Sequence, residues 1–336
     1  MLKNLFILIF SGIFLSTAYF LYNSFKILDK PKLYGFNRKP VVYSFGFALI
    51  LLFAFLAFLI NPFSIKLASL LISILVLSFT CFLDDRFKLS PILRLIIQTL
   101  CAFFVVISGI SVLEVSNPFV DGNFSLGQWS IIVSVFWIVL LTNLMNFLDG
   151  VSGLTSGVSS VAFFTLFLFS INTQVHVLDQ SLLTSLSLIA GIISAFGFVL
   201  ELPLPNPKLL LGDSGSMAFG FLLACLSMIN GGKLATLGIV LLIPLFDGIF
   251  VIIYRLYKGN SPLISDQNHL HHKLLLAGYS RLQIIAIYLV LTILFGLLSI
   301  FAWNTFFKFL TFIFVSVALA VFFYLTWNSN GYQRRN

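Results

Sequence analysis

Two aspartates side by side, Asp84 and Asp85, close the strongly apolar run Leu75 to Leu83 and are followed at once by Arg86, Lys88 and Arg94. Adjacent carboxylates repel each other unless a cation or a shared proton relieves them, so the pair suits proton or cation chemistry beside an anion. The neighbouring bases can equally neutralise it as plain structure. Further on stands Asn143-Leu-Met-Asn146-Phe-Leu-Asp149-Gly150-Val-Ser152-Gly153-Leu154. On a helix Asn143 and Asn146 share a face, Asp149 continues it, and Gly150 and Gly153 end it. Two amides and a carboxylate on an apolar helix either bond neighbouring helices or, with Asp84 and Asp85, offer oxygen ligands suited to Mg²⁺. A third motif, Gly212-Asp213-Ser214-Gly215-Ser216, precedes a helix. Its small residues let backbone N–H groups approach an anion at the helix N-terminus, while Asp213 can hold the accompanying metal. Last come Asp247, Arg255, Lys258, Ser261, Asp266 and His269-Leu270-His271-His272-Lys273. Three histidines this close raise a zinc cluster, but the spacing lacks a matching acid or Cys. With Arg255 and Lys273 they are better donors to phosphate oxygens or a sugar.

The elements that must position these groups are helices in a membrane. Of the 336 residues, 60% are hydrophobic and only 9% charged, too few charges to cover a water-facing surface. Apolar runs near the ~20 residues needed to cross a bilayer recur about eleven times. They lie near Leu5–Phe25, Val41–Ile60, Ile65–Leu83, Pro91–Ile110, Trp129–Leu148, Leu154–Ile171, Leu182–Leu200, Ser216–Ile229, Leu234–Tyr254, Gln283–Phe301 and Phe306–Trp327. The first is longer than the core of a secretory signal and is kept as a span. The expected fold is an all-α, polytopic integral membrane bundle forming a single domain over residues 1–336.

Charge gives the orientation. Of the 19 Lys and Arg, all but Lys3, Lys66, Lys233 and Lys308 fall on one side of these spans. The positive-inside rule makes that side cytoplasmic, with the N-terminus outside and the C-terminus inside. The basic excess is therefore a topology signal, and nucleic acid is not an expected partner. Among the acids only Glu114, Asp121 and Asp179 map to outer loops. The rest gather on the face that should be basic, against the topology signal, as cation or proton work would require. Taken alone, Asp29, Glu201 and Asp266 read as helix caps or partners of nearby bases. Cys81, Cys101 and Cys225 fit core packing, and His176 a solvated outer loop.

In this order, Asp84-Asp85-Arg86 with Pro91 and Arg94, Asn143-x-x-Asn146-x-x-Asp149-Gly150-x-x-Gly153-Leu154, Gly212-Asp213-Ser214-Gly215-Ser216, Pro244-x-x-Asp247 and His269-x-His271-His272 resemble the polyprenyl-phosphate N-acetylhexosamine-1-phosphate transferases. Lys258-Gly-Asn-Ser-Pro262 through His269-Leu-His-His-Lys273 is similar to the WecA/TagO-like branch, rather than the one that transfers phospho-muramoyl-pentapeptide. The motifs run from about Asp29 to Tyr279. The resemblance implies a multi-pass enzyme of the bacterial cytoplasmic membrane, its site facing the cytosol. Such an enzyme moves an N-acetylhexosamine 1-phosphate from a UDP-sugar to undecaprenyl phosphate, releases UMP and begins a cell-surface polysaccharide. Mg²⁺, or Mn²⁺ in its place, is the implied cofactor, and a homodimer the implied assembly.

On that resemblance Mg²⁺ is assigned to Asp213 with Asn146 as second ligand, and Asp84 and Asp85 stand beside the lipid phosphate with Arg94. Asp149 would shape the nucleotide and metal pocket, next to Asn143 on the same face. His269, His271, His272 and Arg255 would contact the diphosphate or sugar, with Asp247 orienting their loop. Undecaprenyl phosphate is already ionised near neutral pH, which favours direct attack over a phospho-aspartate intermediate. Two departures stand out. Ser152 occupies the position of a second Asp in many members, and Asn37 to Gly46 matches a Pro/Gly-Gly pattern only loosely. The lost charge leaves donor choice open between GlcNAc and 6-deoxy-N-acetyl sugars such as QuiNAc or FucNAc. The rival reading, an ion-coupled secondary transporter, expects intramembrane acids near the midplane between repeated halves, and no repeat is visible.

Overall fold

The computed structural model of the chain describes residues 2–29, 39–117, 119, 122–171, 180–204, 206–229, 234–259, 269–301, 306–317 and 321. Asp121, His176, Asp179, Ser261 and Asp266 lie outside them.

Apolar runs become helices because a helix satisfies its own backbone where no water can. In chain order these are α1 (Leu2–Ser24), α2 (Gly46–Ile60), α3 (Ile65–Phe87), α4 (Pro91–Ile107), α5 (Trp129–Phe147), α6 (Leu154–Ser170), α7 (Gln180–Glu201), α8 (Asp213–Met228), α9 (Leu234–Val240), α10 (Leu242–Tyr257), α11 (Leu270–Leu276), α12 (Arg281–Phe301) and α13 (Phe306–Val317). Among the described helices α3, α5, α7 and α12 are long and apolar enough to cross a membrane, α5 counted with the 3-10 turn Leu148–Gly150 that extends it. The pair α9 and α10 makes a fifth if taken as one broken span.

Three features differ from expectation. The ninth run is not straight: α9 and α10 meet at an angle of 82°. Pro244, near the start of α10, has no N–H to offer the carbonyl of Val240, and its ring crowds that carbonyl. The eighth helix starts at Asp213 rather than Ser216, so most of the Gly/Ser turn is its first helical turn. A small antiparallel hairpin, β1 (Glu114–Ser116) with β2 (Asn123–Ser125), joins α4 to α5, too short to leave an alternating signature.

The core is built around α8. Every residue from Ser214 to Met228 is buried, packed by α2, α3, α5 and α6. That accounts for a helix of only 16 residues, since surrounding protein covers its ends. The helices run alternately, so one end of the bundle collects the starts of α2, α4, α6 and α8 and the ends of α3, α5 and α7. Every polar motif falls at that end.

Candidate active site

A tight connection places the first acid pair. Lys88 closes α3 in the left-handed region (φ 56°), donating its N–H to the Asp84 carbonyl. Ser90 then caps α4 by accepting from the Leu93 N–H, with Pro91 as first helical residue. This turn delivers the Leu89 N–H to Asp84 Oδ1 at 2.6 Å and swings Arg94 back across α3. The Arg94 guanidinium bridges two helices, reaching Asp84 Oδ2 at 2.8 Å and Asp213 Oδ2 at 3.0 Å. From the other side Asn146 donates its amide to Asp213 Oδ1 at 2.9 Å and to Ser216 Oγ at 3.1 Å. Asp84, Arg94, Asn146 and Asp213, far apart in sequence, are one hydrogen-bonded cluster.

Asp85 faces a different set of partners. Ser44 Oγ donates to its Oδ2 at 2.5 Å and Tyr43 OH to its Oδ1 at 3.0 Å. Ser44 and Tyr43 lie on an extended strap ahead of α2, tied to the segment before α8 by Leu210 N–H to Val42 O and Gly46 N–H to Leu211 O. Gly212 passes between strap and carboxylate at φ +71°, where a Cβ would stand 2.7 Å from Asp85 Oδ2 and 2.8 Å from Ser44 Cα. No other residue fits there without displacing Asp85.

Asp149 sits one turn beyond Asn146, in the 3-10 turn, partly exposed. Its carboxylate is close enough to those of Glu201, Asp213 and Asp85 to interact with all three. Asn143 does not join the acids: its amide donates to Gln98 Oε1 and to the Val139 carbonyl, both at 2.8 Å. Glu201 is neither a cap nor the partner of a base. It is a buried carboxylate held by Ser156 Oγ at 2.5 Å and the Leu211 N–H at 2.7 Å. Ser152 donates to the Glu201 carbonyl at 2.6 Å. An aspartate in that place would set acceptor against acceptor beside a buried acid, so Ser152 and Glu201 are matched. Asp29, by contrast, is local structure, accepting from the Val41 N–H at 2.8 Å.

The histidines pack against the opposite side of the α5 terminus. His269 Nδ1 lies 3.1 Å from Asp247 Oδ2, and Asp247 Oδ1 accepts from the Leu270 N–H at 2.8 Å. That bond fixes the ring and leaves Nε2 for another partner. His269 and His271 stack 5.8 Å apart, His271 and His272 stand 4.2 Å apart, and the Phe147 ring is 5.1 Å from His269. The Arg255 guanidinium lies over the same Phe147 ring, 5.8 Å from its centroid. His271 is wholly buried with neither ring nitrogen hydrogen-bonded. Burial first, then His272 and His269, push its pKa well below the ordinary value, so it stays neutral. Gly150 touches this ring, and a Cβ there would overlap His271 Nε2.

Among the described residues no three His, Cys, Asp or Glu side chains are grouped so as to hold a metal ion. Cys81, Cys101 and Cys225 are buried and unpaired, as core packing requires. Sequence reading missed Tyr43, Ser44, Gln98 and Glu201 as members of this network. Only Gln98 left a usable signal: it stands four residues after Arg94, on the same face of an apolar helix.

A helical membrane protein whose acids, amides and bases meet at one end of its helices is the class these features define. Residues 67–231 match the family model described as glycosyl transferase family 4. The chain is 33% identical over 215 residues to a Bacillus subtilis protein named "Probable undecaprenyl-phosphate N-acetylglucosaminyl 1-phosphate transferase", covering 62% of this chain and 58% of that one. It is 28% identical over 302 residues, 85% of this chain and 81% of the relative, to the undecaprenyl-phosphate alpha-N-acetylglucosaminyl 1-phosphate transferase of Salmonella typhi. A phospho-N-acetylmuramoyl-pentapeptide-transferase of Leuconostoc mesenteroides is 28% identical over 224 residues, 65% of this chain and 66% of that protein. The chain thus spans little more than half the length of the Bacillus relative. The chain is similar to proteins named undecaprenyl-phosphate N-acetylglucosaminyl 1-phosphate transferases and phospho-N-acetylmuramoyl-pentapeptide-transferase, the resemblance its motifs carry.

Proposed function

We propose that this protein transfers an N-acetylhexosamine 1-phosphate from a UDP-sugar to undecaprenyl phosphate, forming the lipid diphosphate sugar and UMP, as the first step of a cell-surface polysaccharide. The observation that carries this reading is the single cluster of Asp84, Arg94, Asn146 and Asp213, with Asp85 and Asp149 beside it, at one end of an apolar bundle. Both reactants are anions, so the site must hold one phosphate against another. GlcNAc is the sugar in the names of the Bacillus and Salmonella relatives and is the first donor to test; Ser152 keeps the 6-deoxy sugars on the panel.

The residues present fit Mg²⁺. This ion binds through one or two carboxylates and completes its shell with water and substrate phosphates, so three convergent protein ligands are not required. Asp213 would hold it, with Asn146 turning its amide oxygen inward. When bound, Mg²⁺ or Mn²⁺ neutralises charge building on the phosphate oxygens. The chain's own groups do the rest. Arg94 holds the acceptor phosphate, and Asp84 or Asp85 takes any proton it still carries. An acceptor oxygen attacks the sugar-bearing phosphorus, and the bond from that phosphorus to the oxygen bridging the two phosphates breaks, so UMP leaves. His269, fixed by Asp247, the neutral His271, His272 and Arg255 donate to the departing phosphate and the sugar. Asn143, locked by Gln98, keeps the α5 face in register.

The site faces the cytosol in this reading, with about eleven spans, the N-terminus outside, and a homodimer in the inner membrane. The charges support it. Lys66 packs beside Gly109 at the start of α3, and Lys308 lies 5.1 Å from the Phe169 ring and 3.4 Å from Thr236 Oγ1, both at the end away from the site. The test is to incubate purified protein with Mg²⁺, undecaprenyl phosphate and a panel of UDP-N-acetyl sugars, and to identify the lipid by mass. A lipid heavier by one N-acetylhexosamine phosphate is expected. Unchanged lipid with every donor contradicts the proposal.

A further inference from the structure

Between α1, α7, the strap at Phe45 and the Lys208–Leu209 segment lies a cavity of about 630 Å³ that the chemistry above does not use. Gly12, Tyr19, Phe45, Phe196 and Leu209 line it, and Lys208 is its one charged lining residue. Tyr19 and Phe196 are 43% and 42% exposed, so the cavity opens on the outer surface of the helices, which the bilayer would cover. Among the described residues no carboxylate pairs with Lys208, which is itself exposed. An apolar recess with a single unneutralised cation at its rim is complementary to a hydrocarbon chain carrying one negative head group.

The cavity backs onto the strap that grips Asp85. Phe45 and Leu209, both buried, form its wall, while their chain neighbours Ser44 and the Leu210–Gly212 run face the carboxylates. A phosphate on Lys208 is therefore walled off from Asp84, Arg94 and Asp213, which argues for a lipid other than one about to react.

We propose that this cavity is a binding site for an anionic phospholipid of the surrounding bilayer, its acyl chain between α1 and α7 and its phosphate on Lys208. Occupancy steadies the strap, and with it Ser44 and Gly212 against Asp85. Two variants isolate the site without touching the reacting groups. Lys208→Gln removes the charge. Gly12→Phe fills the recess, since nothing lies within 4 Å of a Cβ built there.

Delipidated full-length protein in detergent is titrated with phosphatidylglycerol or with phosphatidylcholine of the same acyl chains, reading bound lipid by native mass spectrometry and the thermal midpoint. Phosphatidylglycerol is expected to bind at about fivefold lower concentration and to raise the midpoint more, the effect of one charge near a membrane surface. Lys208→Gln should erase the preference between lipids. Gly12→Phe should release both lipids while keeping the helical circular dichroism and elution volume of the parent. Equal retention of the two lipids, or a preference that survives Lys208→Gln, overturns the proposal. So does displacement of phosphatidylglycerol by undecaprenyl phosphate at equal concentration, which would make the occupant the acceptor lipid.

Discussion

Arg94→Met tests whether one guanidinium holds the acid cluster together. Arg94 is bonded at 2.8 Å to Asp84, whose side chain is 6% exposed, and at 3.0 Å to Asp213, whose side chain is 26% exposed. A hydrogen bond to a charged group contributes about 1.5–3 kcal/mol, and cutting a buried pair leaves an uncompensated charge that costs as much again. Two such bonds predict a loss of about 3 kcal/mol, less than their sum because a stranded carboxylate can take up a proton. The stranded charge is chiefly Asp84, which keeps the Leu89 N–H as a donor. Asp84→Asn in the Arg94→Met background should therefore cost much less than it does alone, with a coupling of about 2 kcal/mol. Unfolding in mixed micelles, followed by circular dichroism for the four proteins of the cycle, measures this directly. Additivity within about 0.5 kcal/mol would mean that the bridge does not hold the cluster, and the argument from convergence would fail.

Asp213→Asn should leave the protein folded in detergent yet abolish metal-dependent transfer; near-normal turnover would refute the metal assignment. Asp85→Asn turns an acceptor toward Tyr43 or Ser44 into a donor, and should cut kcat by at least ~100-fold if Asp85 handles a proton. An unchanged kcat would return it to structure. Gly150→Ala drives a methyl into His271 and should raise the KM for the UDP-sugar at least tenfold, roughly 1.4 kcal/mol; an unaltered KM would show that the ring is not in the donor site. His271 is held neutral in the fold, so between its depressed folded pKa and about 6.5 the unfolded chain binds the extra proton. Its contribution is complete above about pH 6.5 and is lost as pH falls, by up to about 1.4 kcal/mol per unit. The thermal midpoint should fall between pH 7.5 and 5.5, and His271→Asn should flatten that fall; parallel curves would contradict it.

Helices were legible because hydrocarbon length and self-satisfied backbone leave a strong local mark, and each expected run that falls in the described residues holds a helix, though the second opens with the non-helical strap Val41–Phe45 rather than with α2. Their membership of one site was legible only through the motifs. Asp84, Asp213 and Asn146 announce themselves as polar residues on apolar helices, but the bond each makes depends on helix register, which local pattern does not carry. Arg94 read as an anion ligand; that it also bridges α3 to α8 follows from the Lys88 turn. Ser44 and Tyr43 were invisible, since an ordinary Tyr-Ser pair gains meaning only when the strap lies against Asp85. Glu201 was misread as a cap or the partner of a base because its partners, Ser156 and the Leu211 N–H, are uncharged. The bend at Leu241 was foreshadowed by Pro244, which an apolar-run count overlooks.

The account rests on transfer of a sugar together with its phosphate, and the nucleotide released tests that most directly. With Mg²⁺, undecaprenyl phosphate and UDP-N-acetylglucosamine, or whichever donor the panel selects, the protein should release UMP, one for each lipid diphosphate sugar formed. Release of UDP, or of UMP without a matching lipid product, would contradict it.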